Sequence, residues 1–263
     1  MFAYDDAVSE RFPTIRAGVI HASRLSNGPS PPELLEEYQA EQQATSERLK
    51  ATAIADLPSI AAWRRVFSGF GAKPTQYRNA AEALLRRLAK HGDIPTIHTL
   101  VDIGNLVSIR YAMPVAVFDQ ANIAGGSATV RFATGAELFT DLGSTDVVHP
   151  DPDEVIFVDS NDVVSARRWS WRQSAQSATS TTTVDALIVV EGHHNAAGRD
   201  VESALSDLMS LLASHQPRGQ IKSYVLSPAN PHTGNGPRRR EHEFVRNGPH
   251  EHHPSRPGAT RPL

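Results

Sequence analysis

Between Leu100 and Asp119 the chain reads LVDIGNLVSIRYAMPVAVFD, and this stretch leaves few choices of architecture. Val101, Asn105, Ser108 and Ala112 recur at helical spacing, while Ile103, Leu106, Val107 and Ile109 cover much of the remaining circumference. A helix apolar nearly all round is a core helix. Its few polar groups, Asp102, Asn105, Ser108 and Arg110, must therefore be satisfied or used. Pro114 breaks the helix, because its ring removes an amide donor and clashes with the preceding turn. A short strand then ends at Asp119. The stretch predicts an interior helix with a site at one end.

The flanking sequence supplies mixed elements. Arg11 to Leu25 alternates well enough for an opening strand through Ile15, Ala17 and Val19, ended by Asn27-Gly28-Pro29 and Pro31-Pro32. Glu33 to Ala55 reads as a polar helix with a thin apolar stripe, and Ser59 to Phe67 as a shorter one. Gln76 to His91 is the cleanest amphipathic helix, with Ala80, Leu84, Leu85 and Leu88 inward and Gly92 as its stop. Strands are expected at Ala128 to Phe132, Glu154 to Asp159, Val163 to Ala166 and Asp185 to Glu191. A helix follows over Ala197 to Ser214, and a closing strand over Gln220 to Leu226.

Helices and strands mix without regular βαβ alternation, which favours α+β: a single domain of mixed or antiparallel sheet with packed helices, over residues 8–226. From Ser227 onward Pro, Gly, His, Arg and Asn dominate and periodicity is lost, so residues 227–263 read as a disordered tail.

Charge and composition narrow the function classes. The net charge of −3 is uneven: residues 227–263 hold six Lys/Arg against three Asp/Glu, leaving +3 on the tail and −6 on the body. Such a body is not a general polyanion binder, so nucleic acid would need a local patch, helped by Arg238, Arg239 and Arg240. The absence of cysteine excludes disulfides, thiolate zinc sites and a cysteine nucleophile. No apolar run approaches the roughly 20 residues of a membrane helix. The N-terminus, MFAYDDAVSERF, has acids where a signal peptide would be basic and apolar. A soluble, cytoplasmic protein without membrane association is expected.

Generic catalytic signatures are missing: there is no G-x-S-x-G elbow, phosphate-binding glycine loop or dinucleotide fingerprint, and no cofactor is implied. His193 and His194 are adjacent on an extended run, so they point opposite ways and lack a third ligand at metal spacing; no metal is expected. Arg167 to Gln173, RRWSWRQ, is unusual. Read as a strand, it puts Trp169 and Trp171 on one face and Arg168 and Arg172 on the other. Aromatics beside guanidiniums can stack a base and hold a phosphate. The same pattern also describes two core tryptophans with solvent-facing arginines. Glu191, closing the run Leu187 to Val190, is either a pocket carboxylate or a strand-end acid facing water.

Val101 to Asp119 resembles the editing (tRNA-binding) domain of the phenylalanyl-tRNA synthetase beta subunit, where a V-D-x-T-N-Y-V helix precedes a Q-P-x-H-A-F-D segment. The similarity continues in order through Val130, Arg131, Ala133, Gly135, Glu137 and Leu138, through Leu142-Gly143, and through Ile156 and Asp159. It ends in a Thr-rich turn and a strand closing on Glu191. The resemblance implies hydrolysis of a wrongly formed aminoacyl-tRNA ester, with the charged 3′ end as partner. A vicinal ribose hydroxyl can assist such a reaction, so a strong protein base is not required.

Position by position, Asn105 matches the asparagine of the T-N pair and is the implied catalytic residue, holding water or ester. Gly104 stands at the threonine position and Ala116 at the histidine position. Glu191 matches the glutamate that reads the tyrosine hydroxyl in the synthetase. Arg168, Trp169, Trp171 and Arg172 stand where the synthetase pocket is glycine-rich. These departures suggest a reshaped pocket: a trans-acting deacylase for tRNA carrying a non-cognate or non-protein amino acid, an arginine mimic such as canavanine among the candidates. The alternative is a non-catalytic tRNA- or RNA-binding module on the same fold. A weaker third reading is a small-molecule or protein-binding domain.

Overall fold

Strands that are apolar on both faces must be covered on both, and two such strands set the middle of this molecule. The computed structural model describes residues 1–234. In chain order it contains β1 (Phe2–Tyr4), α1 (Asp6–Arg11), β2 (Arg16–Ser23), α2 (Pro32–Ala51), α3 (Pro58–Gly69), α4 (Ala80–His91) and α5 (Thr99–Tyr111). There follow β3 (Val115–Asp119), β4 (Ala128–Phe132), β5 (Phe139–Thr140), β6 (Val147–Val148), β7 (Val155–Val158) and β8 (Val164–Arg167). The described chain closes with β9 (Arg172–Gln173), β10 (Ala186–Gly192), α6 (Ala197–His215) and β11 (Gln220–Leu226).

The central sheet runs β11-β2-β10-β3, antiparallel throughout. Alternation then assigns each side chain to a layer. Ile20, Ala22, Ile188, Val190 and Val117 face a helical layer of α2, α4, α5 and α6. Ala17, Val19, Leu187, Val189 and Phe118 face the second sheet, β1-β4-β7-β8-β9, across a core that includes Phe2, Phe157 and Trp169. Within that second sheet β1 is parallel to β4 and the other pairs are antiparallel. The architecture is the α+β single domain expected. α5 is the interior helix, its Leu100, Ile103, Leu106 and Val107 fully buried.

Local departures have local causes. The expected opening strand is split: α1, capped by the Asp5 carboxylate, occupies residues up to Arg11 and the strand starts at Arg16. α4 begins at Ala80 rather than Gln76, because the Asn79 side chain accepts from the Glu82 amide and sets the boundary. Ordered contacts also run past both ends of the expected 8–226 span. Phe2 and Tyr4 are core residues, and beyond β11 the Tyr4 amide donates to the Pro231 carbonyl and the Thr233 amide to that of Phe2. The rest of the expected tail, residues 235–263 with Arg238, Arg239 and Arg240, lies outside the described residues. Among the described residues no helix is long and apolar enough to cross a membrane.

Candidate functional site

The stretch RRWSWRQ does not form one strand. β8 ends at Arg167 and β9 begins at Arg172, and the intervening turn holds Arg168 at φ 43° and Trp169 at φ 62°. Left-handed backbone at two consecutive non-glycine residues is costly, on the order of 1–2 kcal/mol each. Burial of the Trp169 indole, which is fully inaccessible, offsets it. The two tryptophans thus part company: Trp169 goes into the core between the sheets, and Trp171 stays half-buried at the rim. The turn is fixed to α4, whose Ala80 amide donates to the Ser170 carbonyl at 2.8 Å.

Beneath this turn lies a cleft of about 70 Å³, walled by Trp169, Ser170, Trp171 and Arg172 on one side and by Pro114 to Ala116 on the other. Its floor carries Glu191, placed there by alternation, since Glu191 shares a face of β10 with Leu187 and Val189. Glu191 is 2% exposed. Its Oε1 accepts from the Tyr4 hydroxyl at 2.5 Å and the Trp169 Nε1 at 2.8 Å. Oε2 has no partner among the described residues. Burial pushes the carboxyl up to about 7, against the two hydrogen bonds that lower it. Near neutral pH the group can therefore both accept and donate. A second polar atom is also left over: the Ser170 hydroxyl, buried and without a hydrogen-bond partner.

Behind Glu191, aromatic edges enclose His193. Its ring is 4.6 Å from Trp63 and 5.1 Å from Trp169, both nearly perpendicular, and its Nδ1 lies 3.1 Å from the Thr14 hydroxyl. Burial drives the imidazole down to about 3, so it is neutral. His194 instead pairs its Nε2 with Asp200 at 2.9 Å. Among the described residues no group of three or more ligating side chains is arranged to hold a metal ion.

Of the residues singled out from sequence, Glu191, Trp169, Trp171, Arg172 and Ala116 meet at the cleft. Three do not. Asn105 lies beside the Tyr38 hydroxyl of α2, in the helical layer on the other face of the central sheet, and is not among the residues that line this cleft. Gly104 packs α5 against β3 instead of lining a pocket: a Cβ there would stand 2.9 Å from Val117 Cγ2 and 3.5 Å from Val115 Cγ1. Arg168 turns away from the cleft, its guanidinium 2.7 Å from Asp151 and stacked 4.0 Å from the Tyr77 ring centre.

Tyr4 and Ser170 were missed. Tyr4 sits in a three-residue strand with no pattern to read. Ser170 carries no signal beyond its place between two tryptophans.

The B3/4 domain model matches residues 62–216, and the chain belongs to that family, which is found in the beta subunit of phenylalanyl-tRNA synthetase. Comparison with curated proteins returns no match. Among solved structures, the chain is similar to an N-terminal fragment of the phenylalanyl-tRNA synthetase beta subunit from Pyrococcus horikoshii. Identity is 14%, coverage 84% of this chain and 50% of that one, and the TM-score 0.43. The chain thus spans about half the length of that fragment.

Proposed function

We propose that this protein is a trans-acting editing hydrolase that removes the amino acid from mischarged aminoacyl-tRNA, with the acylated 3′ end entering the Glu191 cleft. The observation that carries this reading is a fully buried carboxyl, Glu191, lining an apolar cleft together with Ser170, whose buried hydroxyl has no hydrogen-bond partner. Buried polar groups are normally paired, so an unpartnered hydroxyl beside a buried carboxyl at one cleft points to a ligand. Family membership supports the substrate class. In this reading Glu191 receives the polar or cationic end of a non-cognate side chain, an arginine mimic such as canavanine being one candidate. Ser170 holds the ester or the attacking water, and Arg172 at the rim offsets charge that develops on the carbonyl oxygen. With no histidine among the described residues that line the cleft, the vicinal ribose hydroxyl assists the water. Partner and setting follow: tRNA, in the cytoplasm.

The second reading is a tRNA- or RNA-binding module without hydrolysis, favoured by the placement of Asn105 outside the cleft. Incubation with a panel of mischarged tRNAs separates the two. Ester loss with at least one member, reduced in Glu191→Gln, is the expected result. Retention of tRNA without loss of any ester would leave the binding module and remove the enzyme.

A further inference from the structure

Outside the cleft, the largest unexplained feature is a cluster of arginines on the flank of α4. Arg64, Arg78 and Arg86 all reach one carboxylate, that of Glu82, at 3.4, 3.9 and 2.8 Å. Glu82 is fully buried, whereas Arg78 and Arg86 are 41% and 40% exposed, so two positive charges in excess face outward from a single buried negative one. The Nε groups of Arg64 and Arg78 make no hydrogen bond. Only Arg86 hydrogen-bonds the Glu82 carboxylate, at 2.8 Å to Oε1, which leaves the other two guanidiniums as charge neighbours.

Arg78 and Arg86 border a groove of about 340 Å³ lined also by Gln76, Ala83, Trp171 and Arg172, with no acid among its lining residues. Arg172 is half exposed and paired with Asp141, and its guanidinium sits 4.8 Å from the Trp171 ring centre, which holds it in place. Trp171 and Arg172 line both groove and cleft, so the two adjoin across these side chains. Guanidinium forks on a water-accessible floor suit phosphate oxygens, which they meet two bonds at a time.

We propose that this groove is a phosphodiester-binding site that takes the backbone of a single-stranded RNA end and delivers its terminal nucleotide to the cleft. The inference rests on the cleft reading for its choice of RNA. The phosphate chemistry rests on the arginines alone. It also answers how a body with six excess negative charges can hold a polyanion: by a local patch beside which Glu82 is buried and Asp141 is paired with Arg172.

The test is binding of a fluorescein-labelled single-stranded RNA dodecamer to the full chain, followed by anisotropy across a salt series, with pyrophosphate as a separate ligand. Arg86→Gln and Arg172→Gln should each weaken RNA binding about fivefold at 0.1 M salt and flatten the slope of log K against log salt by about 0.7. Gln76→Arg, which adds a cation to the groove without touching Glu82, should tighten binding by a similar factor, and it keeps the test decisive if an arginine variant fails to fold. Equal affinity in all variants would overturn the groove. Pyrophosphate bound in an arginine-dependent way, with RNA not bound, would overturn the RNA assignment in favour of a free phosphate ligand. Binding of neither would overturn the site altogether. Deacylation of mischarged tRNA by the unmodified chain and by Arg86→Gln, which does not line the cleft, reports on the cleft separately: hydrolysis by both with RNA affinity unchanged across the variants sinks the groove and leaves the cleft.

Discussion

Tyr4 places its hydroxyl 2.5 Å from Oε1 of Glu191, a residue 187 positions further along the chain. A strand of three residues at the very start of the protein thereby finishes a site built mainly from β10 and the β8–β9 turn. The bond does two things. It satisfies one oxygen of a buried carboxyl, and it fixes that carboxyl where it lines the cleft. Burial also raises the Tyr4 phenol, and the nearby Glu191 charge raises it further, so the phenol stays a donor throughout the working pH range.

Tyr4→Phe keeps the ring and its edge-on contact with Phe2 while deleting this donor. Hydrogen bonds to charged groups contribute about 1.5–3 kcal/mol, so a loss of stability of that size is expected by denaturant titration near pH 8. The Glu191 carboxyl, deprived of a bond that lowers it, should move further up, and the loss should shrink at pH 5, where the group is protonated. A loss equal at both pH values would mean that the bond does not favour the ionised form.

Glu191→Gln tests the titration directly. A carboxyl at about 7 in the folded chain, against an ordinary 4.5, binds more protons folded than unfolded between those values. Its contribution is therefore complete below pH 4.5, declines as pH rises through about 7, and is level above; the span is on the order of 3 kcal/mol. His193 acts in the opposite sense. Held near 3 instead of 6.5, it stabilises above pH 6.5 and loses that contribution as pH falls toward 3. The difference between wild-type and Glu191→Gln stability curves isolates the first effect. It should slope only between about pH 4.5 and 7, and a flat difference would place Glu191 in water.

Ser170→Ala should separate stability from function. The hydroxyl is buried without a partner, so its removal leaves nothing unsatisfied and shifts the melting temperature little. Deacylation should fall by an order of magnitude or more, about 1.4 kcal/mol of barrier, if the hydroxyl holds ester or water. Unchanged hydrolysis would remove Ser170 from the site.

Asn105→Ala should do the reverse. Its side chain lies in the helical layer beside Tyr38, so the expected effect is on the order of 1 kcal/mol in stability with ester hydrolysis per folded molecule unchanged. A rate loss at full stability would return Asn105 to the chemistry.

Much of this molecule was legible in its sequence because the signals are strong and local. The all-round apolar helix Thr99–Tyr111 could only be interior, and the run Ala186–Gly192 could only be a strand covered on both faces. Glu191 was open between pocket and water in the sequence, and the structure settles it, since Glu191 shares its face of the strand with Leu187 and Val189. What escaped has physical reasons. The RRWSWRQ turn lacks the glycine, asparagine or aspartate that usually takes a left-handed conformation, since that conformation at Arg168 and Trp169 is held by burial of an indole, which no local pattern encodes. Asn105 and Ala116 are close in sequence, yet the first lies in the helical layer and the second faces the other sheet, because a helix periodicity gives way to a strand periodicity at Pro114. Sequence order placed them at one site; the change of period put a sheet between them.

Gly104 offers a measurement of that geometry. A glycine in the middle of a helix costs about 1 kcal/mol relative to alanine, so its presence in α5 needs a compensating contact. The close approach to Val117 supplies it, with no room for a Cβ at 2.9 Å. Gly104→Thr, which restores the residue of the family's T-N pair, should therefore destabilise the fold by about 1–3 kcal/mol through overpacking and leave deacylation per folded molecule unimproved. Val117→Ala alone creates a void and is also destabilising. Combined, the two changes should relieve each other: the alanine removes the methyl groups that the threonine meets. A double-mutant cycle should show favourable coupling of about 1 kcal/mol or more. Simple additivity would mean that α5 and β3 move apart to admit the side chain. A gain of hydrolysis in Gly104→Thr would mean that this face of the sheet communicates with the cleft after all.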